Sequence, residues 1–343
     1  MAELWFWCVA VMLTAYVVFD GFDLGAGLVH LLVARSRQER KAVLRTIGTV
    51  WDGNEVWLLA AGGTLYFAFP ALYASSFSGF YLALMIVLWL LILRGISIEF
   101  RSHIDNLLWV QFWDLVFGVS SGLLALLYGV ALGNVVRGVP LDSTGSFFLP
   151  LWTNFQPGHD PGIVDWYTLL TGLTSLAALA LHGALWVTMK TTGSLRERSR
   201  TFARRCWIGV VAATALITPI SFAIQPHLGT RFVDAPWGVV FPLLAILGIV
   251  GAFFFTRSGQ DGKAFLASCA YLMGMMTSVV FAIFPYVLPS NLDASQSMTI
   301  SNSAAPEYGL EVGMRWWIPG MLLVTGYFVF AYRQSHGRIE TES

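Results

Sequence analysis

The sequence predicts an all-α polytopic membrane protein of nine transmembrane helices, with the N-terminus outside and the C-terminus in the cytoplasm. Three observations predict it. Of 343 residues, 56% are hydrophobic and only 12% charged, and the mean hydropathy is +0.67; a soluble chain of this size needs more charge to cover its surface. Apolar segments long enough to cross a bilayer recur near 4–33, 47–69, 77–98, 108–133, 164–189, 205–224, 237–256, 264–284 and 316–333, read with a window of about 19 residues. Positive charge alternates between the loops that join them: with the N-terminus outside, 17 of the 20 Lys and Arg fall on the inner side, leaving only Arg137, Arg231 and Arg315 outside. An even number of spans, or the opposite orientation, would destroy that alternation.

Taken in order, the first segment opens MAELWFWCVAVML, without the positive n-region and small-residue cleavage site of a signal peptide, so it is expected to remain as the first span. It carries Asp20 and Asp23, with no Lys or Arg between Ala2 and Val33. The second carries Asp52 and Glu55, the third holds Arg94 and runs into Glu99 and Arg101, and the fourth has Asp114 near its start. From Trp166 onward the apolar segments contain no acid, and Glu197, Asp234, Asp261, Asp293, Glu307 and Glu311 fall in loops or at ends. Trp and Tyr near the segment ends fit interfacial belts. Pro70, Pro242, Pro285, Pro289 and Pro319 are expected toward span ends.

The chain reads as one transmembrane domain over 1–343, with helices 1–4 and their carboxylates in 1–135, helices 5–8 in 164–284 and helix 9 in 316–334. Its longest loops, 134–163 and 285–315, are both outside and rich in Gly, Pro, Ser and Asn. No internal repeat of short period is evident. Cys8, Cys206 and Cys269 are odd in number and far apart in apolar runs, so they read as buried small residues.

The informative residues are the acids. Six of 20 lie in or at the edge of the first four spans: Asp20, Asp23, Asp52, Glu55, Glu99 and Asp114. Entering from outside, Asp20 lies about 24 Å deep at 1.5 Å per residue. Asp52 and Glu55 lie about 8–12 Å from the inner start of their helix by the same rise, so all six gather toward the cytoplasmic face. Asp20/Asp23 and Asp52/Glu55 are each spaced i, i+3, which puts each pair on one helix face. Charge in lipid is costly, so such groups face the bundle interior, pair, or hold protons. Asp52, Asp23, Asp20 and Glu55 therefore form a candidate proton route from the cytoplasm. The competing reading is a network of ion pairs: Arg94 with Glu55 or Glu99, and Arg101 with Asp114. Gly21 and Gly25 form a small-xxx-small pair that lets another helix approach closely.

Histidines are the candidates for a haem or metal. His182 lies deep in LALHGALW, His30 sits near the inner end of the first span, and His103, His159, His227 and His336 are in loops or near ends. A low-spin haem needs two axial ligands brought together, and a hydrogen-bonded core histidine is the preferred reading of His182. No Cys/His spacing suggests a metal site, and no Gly-rich loop follows a strand, so nucleotide or nucleic-acid binding is not indicated.

Together FDGFDLGAG (19–27), WDGNEVWLLAAGGTLYFAFP (51–70), SSFSGFY (75–81), RGISIEFRS (94–102), the WD at 113–114, GNVVRGVP (133–140) and FPYVLPS (284–290) resemble subunit II of the cytochrome bd quinol oxidases. The similarity runs in family order from the first span to the loop after the eighth; the ninth matches by position only. The resemblance implies two four-helix bundles plus one peripheral helix. It implies a haem-bearing subunit I as partner in an electrogenic complex of the aerobic respiratory chain. That complex oxidises quinol on the outer side and reduces dioxygen to water, taking protons from the cytoplasm, in the plasma membrane of a bacterium or archaeon. Haems b and d are then the partner's, no catalytic residue or directly bound cofactor is expected here beyond a structural quinone known in some members, and small accessory subunits and lipids are further partners. Asp52 matches the family's proton-channel aspartate, with Asp20 and Asp23 close by, whereas Glu55 is glutamine in some members. Two alternatives stand beside this reading: a purely structural or assembly subunit, and a proton-coupled transporter, which would use the same acids but calls for a midplane site on broken helices.

Overall fold

The computed structural model describes residues 1–335 and 337–340, so His336 lies outside the described residues. Its helices are α1 (Ala2–Leu32), α2 (Arg37–Ile47), α3 (Trp51–Ala68), α4 (Pro70–Gly79), α5 (Tyr81–Phe100), α6 (Leu107–Arg137), α7 (Trp166–Lys190), α8 (Gly193–Ile224), α9 (His227–Asp234), α10 (Val240–Arg257), α11 (Asp261–Ile283) and α12 (Glu307–Gln334).

Among the described residues, seven helical segments are long and apolar enough to cross a membrane: α1, α5, α6, α7, α8, α11, and the stretch Pro236–Arg257 that contains α10. The second and ninth expected spans, α3 and α12, fall outside that set. Asp52, Asn54 and Glu55 occupy the first turns of α3, and Pro70 starts a new helix after the break at Phe69.

Four local features depart from the sequence reading. The inner loop expected at 190–205 is mostly helix, because α8 begins at Gly193 and carries its arginines as a helical extension. The run 37–47 forms a separate amphipathic helix, α2, capped by the Ser36 side chain, which accepts from the Glu39 N–H. Pro319 lies inside α12 rather than toward its end, because the helix already starts at Glu307. In the loop after α11, β1 (Tyr286–Leu288) and β2 (Met298–Thr299) pair antiparallel.

The first helix is the hub. It packs against α3, α6, α7 and α11, and its residues from Asp20 to Gly27 are all buried. Its closest crossing is with α7. A Cβ on Gly25 would sit 2.0 Å from the Leu179 carbonyl oxygen, and one on Gly183 would sit 2.2 Å from the Gly25 carbonyl carbon. Backbone meets backbone there, which only glycine on both sides permits. α12 lies at the periphery: Phe328 and Tyr332 pack on Phe19 of α1, while Trp316, Leu322 and Leu323 are exposed.

Candidate functional site: a buried carboxylate cluster

The crossing at Gly25 draws α1 into the centre of the molecule, so the acids one turn earlier arrive fully buried. Asp20 and Asp23 have no accessible surface, and neither has Arg94 on α5. Arg94 meets Asp20 as a two-point fork: Nη1 donates to Oδ2 at 2.8 Å, and Nη2 donates to Oδ1. The Glu55 carboxylate lies 3.7 Å from Arg94 Nη1, with 24% of its side chain exposed. One guanidinium therefore faces Asp20 directly and Glu55 at longer range.

Asp23 is held differently. Asn54 Nδ2 donates to its Oδ2 at 2.8 Å, and the Tyr332 hydroxyl donates to Asn54 Oδ1 at 2.9 Å. Asp23 Oδ1 and Arg94 Nε have no hydrogen-bond partner among the described residues. One turn before Asp20, the Tyr16 hydroxyl donates to the Tyr128 hydroxyl at 2.7 Å, deeper in the bundle.

These positions correct parts of the sequence reading. Arg94 takes Asp20 as its close partner, with Glu55 second, and Glu99 is exposed and joins no ion pair among the described residues. Glu99 lies in the last turn of α5, beside an open groove lined also by Lys41 and Arg45, whereas Arg94 lies on the face turned to α1. Asp52 is not the centre of a buried cluster: it is exposed on α3, on one stripe with Val56, Leu59, Gly63 and Tyr66, all exposed. The buried centre is Asp20, Asp23 and Arg94.

Asp114 belongs to a separate group. Arg101 donates to it through Nε and, at 3.4 Å, through Nη2; Arg40 of α2 donates at 3.1 Å; and His30 Nε2 lies 2.7 Å away. Three basic side chains around one acid tie α1, α2, α5 and α6 together. At the opposite end of α6, Arg137 bonds the Asp165 carboxylate, the Asn134 side chain at 2.6 Å and the Gly162 carbonyl at 3.2 Å.

His182 has both ring nitrogens engaged, Nδ1 with Ser268 Oγ at 2.7 Å and Nε2 with the Val18 carbonyl at 2.9 Å. It also stacks on Phe265 with ring centroids 4.8 Å apart. A nitrogen so occupied does not fit an axial ligand. Among the described residues no three His, Cys, Asp or Glu side chains come together in a way that could hold a metal ion. Cys8 and Cys269 are buried, Cys206 is partly buried, and all three are free thiols.

The sequence reading missed Asn54, Tyr332, Tyr16 and Tyr128, and it named His30 without its partner Asp114. Tyr16 sits four residues before Asp20 on the same helix face, and that spacing could have found it. The tie from Tyr332 to Asn54 spans 278 residues, and no local pattern carries it.

A profile of the cytochrome bd terminal oxidase subunit II family matches residues 1–335. The chain is similar to the probable cytochrome oxidase subunit 2 of Haemophilus influenzae, 31% identical over 98% of this chain and 94% of that one. It is similar to the cytochrome bd ubiquinol oxidase subunit 2 of Bacillus subtilis, 31% identical over 97% of each. It is also similar to the cytochrome bd-I ubiquinol oxidase subunit 2 of Escherichia coli K12, 31% identical over 99% and 95%. In fold it matches a chain of the bd oxidase from Geobacillus thermodenitrificans at a TM-score of 0.76 and 18% identity, covering 97% of this chain and 98% of that one.

Proposed function

The chain belongs to the cytochrome bd terminal oxidase subunit II family, and we propose that it is the haem-free second subunit of a quinol:dioxygen oxidoreductase in a bacterial plasma membrane. In that reading it crosses the bilayer nine times with its N-terminus outside. It scaffolds a haem-bearing subunit I and gives cytoplasmic protons a path into the complex. The partner's haems supply the redox chemistry; quinol and dioxygen are substrates of the complex.

The observation that carries the proton route is the graded burial of its carboxyls. Asp52 is exposed, Glu55 is partly exposed, and Asp20 and Asp23 are fully enclosed. Two of these acids, Glu55 and Asp20, face one buried guanidinium, and Asp23 lies three residues on from Asp20 on the same helix face. Carboxyls in excess of the local positive charge can bind and release protons in a low-dielectric interior. The side chain of Asp23, bonded on one oxygen and bare on the other, is suited to holding a proton.

The exposed α3 stripe supports the scaffold role. A carboxylate does not face acyl chains at low cost, so the face bearing Asp52 beside Leu59, which is 73% exposed, is suited to a partner chain. A structural reading is favoured by the Asp20–Arg94 fork, which fastens α1 to α5 whether or not protons move.

The test is Asp52→Asn in the assembled complex, with haem content confirmed before quinol-driven oxygen uptake is measured. The proton-route reading expects uptake to fall roughly a hundredfold, the lower end of what a positioned proton-transfer group contributes. Normal turnover in an intact complex sinks that reading, and loss of assembly favours the scaffold alone.

A further inference from the structure

At the basic end of the bundle, where α7, α8 and α10 meet, a groove of about 210 Å³ opens between the helices. Its floor includes the buried Ala203 and Ala252. The Trp207 and Phe253 rings form a wall, 4.6 Å apart between centroids, and the Trp207 indole N–H donates to the Ile249 carbonyl at 2.8 Å, which fixes its orientation. Arg204 and Arg257 also line the groove, and the Arg257 guanidinium lies 4.5 Å over the Phe253 ring.

Three other arginines at this end are already committed. Arg196 and Arg200 lie 2.6 and 2.8 Å from Asp261, and Arg338 lies 3.8 Å from it. Arg204 and Arg257 join no ion pair among the described residues. Two exposed guanidinium groups thus stand at the rim of an apolar slot that opens between membrane-facing helices. The outer faces of those helices are apolar: Ile208 is 65% and Leu247 69% exposed.

We propose that this groove binds one anionic phospholipid of the cytoplasmic leaflet, with its phosphate between Arg204 and Arg257 and its upper methylenes against Trp207 and Phe253. The positive-inside rule assigns this end to the cytoplasm, where basic pockets between transmembrane helices hold anionic headgroups. Guanidinium forks match the paired oxygens of a phosphodiester. A free phosphate ion would engage the arginines but leave the apolar floor bare, and a zwitterionic lipid would cover the floor while its own cation offsets the attraction.

The experiment is native mass spectrometry of the whole oxidase complex, titrated in detergent with phosphatidylglycerol, phosphatidylcholine or inorganic phosphate. Arg204→Gln combined with Arg257→Gln is expected to weaken one phosphatidylglycerol site about twenty-fivefold, at about fivefold per arginine, and to leave phosphatidylcholine binding unchanged. Unchanged phosphatidylglycerol occupancy in the double variant overturns the proposal, as does displacement of the bound lipid by inorganic phosphate at equal concentration. Should the double variant not assemble, photo-activatable phosphatidylglycerol on the unaltered complex decides. Crosslinks on the peptides bearing Trp207 and Phe253 uphold the site, and crosslinks confined to other helices refute it.

Discussion

Arg94 on α5 holds Asp20 on α1 through two hydrogen bonds, and neither side chain has any surface open to solvent. Removing one partner of such a pair leaves a lone charge in a dry interior, which costs about 3–5 kcal/mol. Arg94→Met is therefore expected to lose the assembled complex. Arg94→Lys is expected to recover it only in part, since an ammonium cannot make the two-point contact. Asp20→Leu combined with Arg94→Met removes both charges and is expected to assemble better than Arg94→Met alone. The yield of haem-loaded complex in each variant is the measurement.

The α1–α7 crossing predicts a graded response among glycines. Gly25→Ala puts a methyl group into the Leu179 carbonyl oxygen, which is backbone and cannot step aside. The helices must separate, at a cost of about 1–3 kcal/mol or more. Gly21→Ala meets the end of the Leu179 side chain at 2.9 Å, which can rotate away, and is expected to be milder. Thermal melting of the two purified variants should rank them in that order.

Outside the membrane, Glu39 clamps α2 to α8. The Arg198 Nη2 donates to both of its carboxylate oxygens at 2.6 Å, and the Arg35 N–H donates to Oε2 at 2.7 Å. Partial burial pushes the Glu39 carboxyl up, but those hydrogen bonds outweigh it and hold the group below its ordinary value. A group depressed on folding contributes stability that is present above the unfolded value and lost as pH falls through the folded one. Local opening of α2, read as amide exchange corrected for its intrinsic pH dependence, is thus expected to increase on acidification below the ordinary glutamate range. In Glu39→Gln it should already be fast at neutral pH and lose that acid step; an unchanged acid step in the variant refutes the clamp.

His182 has no nitrogen to spare, so His182→Gln is expected to lower the melting temperature of the complex and leave its haem absorption spectrum as it is. The loss comes from two buried hydrogen bonds and the stack on Phe265; each buried bond contributes on the order of 1 kcal/mol. A shifted haem spectrum at full haem content is the contrary result.

Hydropathy and charge along the chain were enough to place most of the helices, because a bilayer demands about 20 apolar residues wherever a helix crosses it. The small-xxx-small spacing of Gly21 and Gly25 pointed to a helix crossing for the same local reason. The second and ninth segments read less clearly. Asp52, Asn54 and Glu55 dilute α3, and α12 extends well before its apolar part. The helicity of the arginine-rich start of α8 escaped hydropathy altogether, since polar helices and polar loops score alike.

The residues themselves determined that carboxyls lie among apolar helices, toward the end where Lys and Arg collect. Which acid meets which base was decided only by the tertiary structure. Arg94 lies 74 residues from Asp20 and five from Glu99, yet it chose Asp20. The physical reason is that a helix face, and not sequence distance, sets what a side chain can reach. The backbone contact of Gly25 with Gly183 seats α1 at the centre, so Asp20 is enclosed beside α5 while Asp52 remains on the surface of α3.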